Sequence, residues 1–235
     1  PDPEFPDLWR ELKTAVCRKI TDKKRRIAID DSKSVYTPAR GLAHLERGVL
    51  AFLHTLDLEP TDLSSLLETI AYDDRSRRLN GHWYNSGDDG PCLPLENSIK
   101  QLTRDRERLR RAGRKTGIRL RESRAAVIDT ERFNYLVRST GSKAVCAMKF
   151  VAGHIREIWE ACGEDDLRVA VDRQGGRTDY RKYLYYIFPE AEITLLEKTP
   201  RLSRYRVRDQ KRSMDIGFQV KSDRYHFPVA YASMT

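Results

Sequence analysis

The chain has 235 residues, of which 39% are hydrophobic and 34% are charged. This composition supplies a buried core, and the length allows one large domain or two small ones. With 44 Lys and Arg against 35 Asp and Glu, the net charge is +9, which is typical of proteins with a polyanionic partner and also of basic globular proteins in general. No apolar run approaches the roughly 20 residues that a membrane helix needs, and no signal peptide is visible.

The cysteines and histidines show no pattern of a metal site. The cysteines, at 17, 92, 146 and 162, form no close pair and share no zinc-ligand spacing with the histidines. We therefore expect reduced thiols and a cytoplasmic protein.

The first half of the chain is mostly helical by pattern. Apolar residues at helical spacing predict helices over about 7–20, from Thr37-Pro38 through Leu56, over 61–71 and over 95–109. Residues 72–93 lack periodicity and predict a long loop. We interpret 72–116, which holds this loop and an arginine-rich helix, as an insertion.

Strands and helices alternate in the second half, which favours an α/β domain spanning 1–235. The predicted strands are 118–128, 167–172, 193–196, 202–207 and 216–220, and the predicted helices are 130–138, 142–161, 180–188 and one that starts near 228. The aromatic residues of 180–188 suit either a stacking surface or a buried helix face, and we favour the latter.

Two of these strands lead into a carboxylate. Asp172 ends the strand 167–172, and Asp223 follows the strand 216–220. If the two strands are neighbours, both carboxylates lie at one end of the sheet, where hard cations such as Mg²⁺ can bind. Two cations ~4 Å apart can hydrolyse a phosphodiester. The alternative is a pair of separate turn aspartates.

Four segments, in this order, resemble the ribonuclease HII family. They are Asp31-Ser32-Lys33, then Ile128-Asp129 with Phe133-Asn134 and Lys143 to Met148, then Val169 to Asp172, and finally Lys221-Ser222-Asp223 with Pro228 to Met234. The resemblance covers about 27–71 and 125–235, and it implies a ribonuclease H-like mixed sheet flanked by helices.

The resemblance also implies an activity and its residues. The family hydrolyses the phosphodiester on the 5′ side of a ribonucleotide in RNA–DNA hybrids or duplex DNA, using Mg²⁺ or Mn²⁺. Asp172 and Asp223 would be catalytic metal ligands, and Asp31, Ser32 and Lys33 would hold the substrate backbone. Without the resemblance, we would favour an ordinary solvated loop for Asp31-Ser32-Lys33.

The sequence departs from the family pattern at several points. The adjacent Asp-Glu pair and Gly-Arg-Gly turn of the family's first strand are missing, Arg173 follows the acid where Gly is usual, and Ser222 replaces Gly. We therefore expect a divergent member, trimmed at both ends, with two of the four acids. A catalytically inactive nucleic-acid-binding domain of the same fold is the alternative.

Further basic residues are candidates for phosphate binding. Gly175-Gly176-Arg177 can let the backbone approach a phosphate while Arg177 binds it, or can form a simple tight turn. Lys221 can neutralise a phosphate or lower the pKa of the nearby Asp223 carboxyl. The arginines of 104–124 can grip a duplex or form a solvated face. We expect a monomer.

Overall fold

The computed structural model describes residues 6–39, 41–71, 90–162 and 167–235. They divide into two compact units, the first from Pro1–Asp129 with His226–Thr235 and the second from Thr130–Tyr225. Among the described residues, no helix has the length and apolar character required to cross a bilayer. The prediction of a single domain over 1–235 stays a prediction.

The elements follow one another as a mixture of helices and strands, which confirms the α/β class. In chain order they are α1 (Leu8–Glu11), β1 (Val16–Cys17), β2 (Ile27–Ala28), α2 (Ser32–Val35), α3 (Ala43–Thr55), α4 (Leu63–Ile70), α5 (Ile99–Thr116), α6 (Thr130–Thr140), α7 (Lys143–Ala161), β3 (Leu167–Asp172), α8 (Arg181–Ile187), β4 (Glu192–Lys198), β5 (Leu202–Arg208), β6 (Ser213–Gln219), a 3₁₀ turn (Ser222–Arg224) and α9 (Phe227–Met234).

The core of the first unit lies between α3, α5 and α9. Phe52 of α3 packs against Phe227 and Tyr231 of α9, with ring centroids 5.8 and 5.1 Å apart. Trp9 closes this cluster and donates its indole N–H to the carbonyl of Ile29 at 2.7 Å. Beside it, β1 and β2 form a short parallel pair whose residues are all buried.

A buried ion pair joins α3 to α5. Arg47 donates two hydrogen bonds to the carboxylate of Asp105, at 2.7 and 2.9 Å, and Asp105 is 1% exposed. Arg47 also donates to the carbonyl of Arg25 at 2.9 Å, which ties the segment before β2 to the same pair. Gln101 completes the site with a hydrogen bond to Asp105.

Two predicted elements of the first unit were wrong. The helix predicted over 7–20 ends at Glu11, because Val16-Cys17 instead forms a strand that pairs with Ile27-Ala28. All four residues of this pair are buried. The strand over 118–128 does not form, and the segment makes one isolated bridge, from Ala125 to Ala71.

The arginine-rich helix is longer than predicted and belongs to a core. α5 continues through Gly113, where a Cβ atom would lie 2.4 Å from the carbonyl oxygen of Ile118, so glycine is required by the close approach of the following segment. Leu102, Leu109 and Ala112 of α5 are buried in the first unit. The insertion over 72–116 stays a prediction, since 72–89 lies outside the described residues.

The second unit contains a four-stranded mixed sheet in the order β3-β6-β5-β4. β3 runs parallel to β6, whereas β6 with β5 and β5 with β4 are antiparallel. Its core includes Met148 and Trp159 of α7, Tyr205 and Phe218 of the sheet, and Tyr180 before α8. The predicted strands and helices of this unit are confirmed to within a few residues.

We predict that Asp105→Ala destabilises the chain by about 3 kcal/mol or more, because Arg47 is left with an uncompensated, largely buried charge. The measurement is urea unfolding followed by circular dichroism. The matched control is Asp57→Asn, which removes the charge of the Arg110–Asp57 pair while asparagine tolerates the positive φ of 59° at this position. Asp57 is exposed, so its loss should cost less than about 1 kcal/mol. Equal losses in the two variants would contradict the prediction.

We also predict that stability falls as the pH is lowered from 7.5 to 5.5, partly through His54. Burial lowers the pKa of this α3 histidine. Smaller contributions come from Glu59, which raises the pKa, and from Arg106, which lowers it. The unfolded chain therefore takes up the proton at a higher pH than the folded chain does, and stability is lost below about 6.5. Unfolding midpoints at both pH values should differ less in His54→Leu than in the wild type. If the two midpoints differ as much in His54→Leu as in the wild type, His54 does not contribute to the pH dependence of stability.

Candidate functional site

The two strands that lead into Asp172 and Asp223 are neighbours, which is the condition that the sequence left open. β3 pairs in parallel with β6 from Leu167 opposite Met214 to Asp172 opposite Gln219. Both strands therefore end at the same edge of the sheet. Asp172 is exposed there, and Asp223 follows in the 3₁₀ turn and is half-buried.

A hydrogen bond joins the side chain of Asp172 to the turn that carries Asp223. The amide of Ser222 donates to Oδ1 of Asp172 at 2.9 Å, so the residue immediately before Asp223 is held against the first carboxylate. Lys221 makes this turn with a φ of 55°, in the left-handed region. Ser222 itself does not have a positive φ, so a serine causes no backbone strain at this position.

The side chain of Arg173, the residue that follows Asp172, holds the next loop in place. Its guanidinium donates to the carbonyls of Arg177, at 2.6 Å, Gly176 and Pro200, and its amide donates to the carbonyl of Gln219. The acceptors are main-chain carbonyls, which every residue type carries, so the sequence could not predict this role for Arg173.

Arg177 presents a cation from this loop. Its guanidinium carbon lies 4.3 Å from the ring centroid of Tyr183. Its Nη1 is buried and makes no hydrogen bond to any residue that the structure describes. Buried donors are normally satisfied, so this atom is suited to an anionic oxygen supplied by a ligand.

Aromatic residues support the loop from below. The hydroxyl of Tyr180 accepts the amide of Gln174 at 3.1 Å, and the hydroxyl of Tyr205 accepts the amide of Tyr180 at 3.0 Å. Tyr180 stacks on Phe218 with centroids 3.7 Å apart. Burial raises the pKa of both tyrosines, which keeps the hydroxyls neutral. The preference for a buried aromatic face over 180–188 is confirmed for Tyr180 and Phe188 and is wrong for Tyr185 and Tyr186, which are exposed.

The Asp31-Ser32-Lys33 segment lies in the first unit, whereas Asp172, Arg177, Lys221 and Asp223 lie in the second. Asp31 caps the short helix α2 by accepting the amide of Lys33 at 3.2 Å, and the amide of Ser32 donates to Ser233 at 3.2 Å. Lys33 is exposed. The carboxylate and the Ser32 amide therefore have structural roles, and a substrate-binding role for the segment stays a prediction.

The metal site expected at this sheet edge stays a prediction. Mg²⁺ is often held by one or two carboxylates with waters and substrate phosphates completing its shell, and Asp172 and Asp223 supply two carboxylates at one sheet edge. Across 6–39, 41–71, 90–162 and 167–235, no group of three or more His, Cys, Asp or Glu side chains could hold a metal ion. The described residues thus lack the larger carboxylate set that two cations require.

Comparison with family models, with curated proteins and with solved structures finds no match. The resemblance to ribonuclease HII therefore rests on the segments of the sequence alone.

We predict that Asp172→Ala speeds hydrogen exchange of the Ser222 amide by about tenfold or more, because the amide loses its acceptor. Asp172→Asn keeps a side-chain oxygen and should have a smaller effect. The measurement is amide exchange by NMR spectroscopy. Asp179→Ala, which removes another loop carboxylate of the unit, is the control. Exchange that is unchanged in Asp172→Ala would show that the bond does not hold the turn.

Proposed function

We propose that this chain is a metal-dependent endonuclease of the ribonuclease H type that cleaves RNA within RNA–DNA hybrids or ribonucleotide-containing duplex DNA. The observation that carries the proposal is the hydrogen bond from Ser222 to Asp172. It holds two acidic residues from distant parts of the sequence at one edge of a mixed sheet. The basic charge of the chain and the ribonuclease HII-like segments add independent support.

Each residue of the site has a role in this proposal. Asp172 and Asp223 would hold Mg²⁺ or Mn²⁺, and the bound ion would polarise the phosphodiester and activate water. Arg177 and the exposed Lys221 would bind phosphate oxygens, Arg177 through the buried Nη1. The Ser222 amide would orient the first carboxylate by occupying one of its oxygens.

A nucleic-acid-binding domain without catalysis is the second candidate. It is favoured by the small number of acidic ligands, because the described residues contain no group of three or more metal-ligating side chains. In that case Arg177 and Lys221 would still contact the phosphate backbone, and affinity would fall steeply with salt.

The test is cleavage of an end-labelled RNA–DNA hybrid in the presence of Mg²⁺ or Mn²⁺. We expect metal-dependent cleavage that leaves 5′-phosphate ends, and a loss of about a hundredfold or more in Asp172→Asn and in Asp223→Asn, because removing a metal ligand costs several kcal/mol of transition-state stabilisation. Binding of the same hybrid is measured in parallel by fluorescence anisotropy.

Asp179→Asn is the matched control for these variants. Asp179 lies in the same unit, and hydrogen bonds from Arg181 hold the pKa of its carboxyl at about 2, so it is a charged aspartate outside the site. Its activity should stay within about twofold of the wild type. No cleavage together with salt-dependent binding by the wild type would reject the nuclease and support the binding domain.

A further inference from the structure

The first unit contains a cavity of about 500 Å³ that the proposed nuclease site does not use. It lies between the C-terminal ends of α3 and α5 and the segment 117–121, which folds back along α5. This fold-back depends on Gly113, because a Cβ atom at that position would collide with the carbonyl of Ile118. A volume of this size is in the usual range for small-molecule sites.

The walls of the cavity are mainly apolar. Leu12, Phe52 and Leu109 are buried members of the first unit's core, and Ile118 and Leu120 pack against that core. Leu56 at the end of α3 completes the apolar lining. The cavity therefore offers a ligand a continuous hydrocarbon surface, for which burial is favourable in proportion to the apolar area covered.

The polar residues around the cavity are strongly one-sided in charge. Among the described residues that line it, none is acidic and four are arginines, at 110, 114, 119 and 121. Arg110 is already engaged, since it donates to Asp57 at 2.7 Å and to the carbonyl of Thr55 at 3.2 Å. Arg114 and Arg119 are exposed and make no hydrogen bond or ion pair with any residue in the described ranges.

We propose that this cavity binds a small amphiphilic anion, a molecule with an apolar body and one acidic group, of which a medium-chain fatty acid is the simplest example. The apolar body would occupy the space between Phe52, Leu56 and Leu120. The acidic group would lie at the rim, where Arg114 and Arg119 can each donate two parallel hydrogen bonds to a carboxylate.

The charge of the rim selects this class over other apolar ligands. A cationic amphiphile would be repelled by the arginines, and a neutral one would leave their charges unused. The proposal does not depend on the nuclease activity, because every residue in it belongs to the first unit and none belongs to the carboxylate site.

The test is calorimetric titration of the full chain with dodecanoate below its micelle concentration, with dodecyltrimethylammonium as the oppositely charged probe of equal chain length. We expect one dodecanoate per chain and binding of the cation at least about tenfold weaker. The double variant Arg114→Gln with Arg119→Gln should bind dodecanoate about tenfold more weakly, because two surface charge pairs are lost.

The matched control is Arg104→Gln with Arg111→Gln. These arginines are exposed on the same helix, lack partners among the described residues and do not line the cavity. This variant removes the same net charge and should bind within about twofold of the wild type. A cavity-filling variant, Leu56→Trp, should abolish binding, with circular dichroism as the check that each variant is folded.

Three results would overturn the proposal. They are no dodecanoate binding by the folded wild type, equal affinity for the cationic amphiphile, and an equal loss of affinity in the control and rim variants. The last result would mean that the overall positive charge of the chain, not the cavity, attracts the anion.

Discussion

The parallel pairing of β3 with β6 is the constraint on which the candidate site depends. Parallel strands end at the same edge of a sheet, so the residues after them meet even when they are far apart in sequence. Here the chain passes through α8, β4 and β5 before it returns beside β3. The Ser222 to Asp172 hydrogen bond then fixes the turn that carries Asp223. A one-residue slip of β6 would move this amide away from the carboxylate and reverse the faces of the strand.

The candidate site is held mainly by main-chain groups and by residues to which the proposed function assigns no role. Arg173 holds the loop through main-chain carbonyls, and Tyr180 and Tyr205 each accept a main-chain amide. Arg173, Tyr180 and Tyr205 therefore satisfy main-chain groups of the loop that carries Arg177. The side chain of Arg173 turns back and satisfies the loop's own carbonyls.

The sequence predicted the second unit better than the first, for a physical reason. Strands such as Val169–Asp172 and Ile216–Gln219 carry buried apolar residues that mark them clearly in the sequence, whereas their parallel pairing with each other was only a condition of the argument. In the first unit, Val16-Cys17 and Ile27-Ala28 are too short to leave a pattern and pair only through the tertiary structure. The segment 118–128 alternates like a strand, but its apolar residues face the core and the cavity instead of a sheet.

The site residues could be anticipated only as far as strand ends mark them. Asp172 and Asp223 could be named as candidates because each follows a predicted strand. Turn geometry, which side-chain spacing does not encode, determines the other features: the Ser222 amide, the buried Nη1 of Arg177 and the carbonyl contacts of Arg173. The arginine-rich stretch was ambiguous for a similar reason. Its members differ in role according to the helix face, and a face is defined only once its neighbours are in place.

The net charge of +9 conceals this division of the arginines. Arg47 is neutralised by Asp105 within the core, and Arg106 and Arg110 pair with Glu59 and Asp57. Charges that are paired in this way attract little from solution, because the partner's charge offsets them at short range. Within the ranges that the structure describes, Arg114 and Arg119 have no such partner, so their positive charges remain on the surface. Because these charges are exposed, salt screens them within about 10 Å, so an anion is held there only if apolar contacts or a second cation add to the attraction. The cavity beside them provides the apolar contacts, which a bare arginine surface such as that around Arg104 and Arg111 does not.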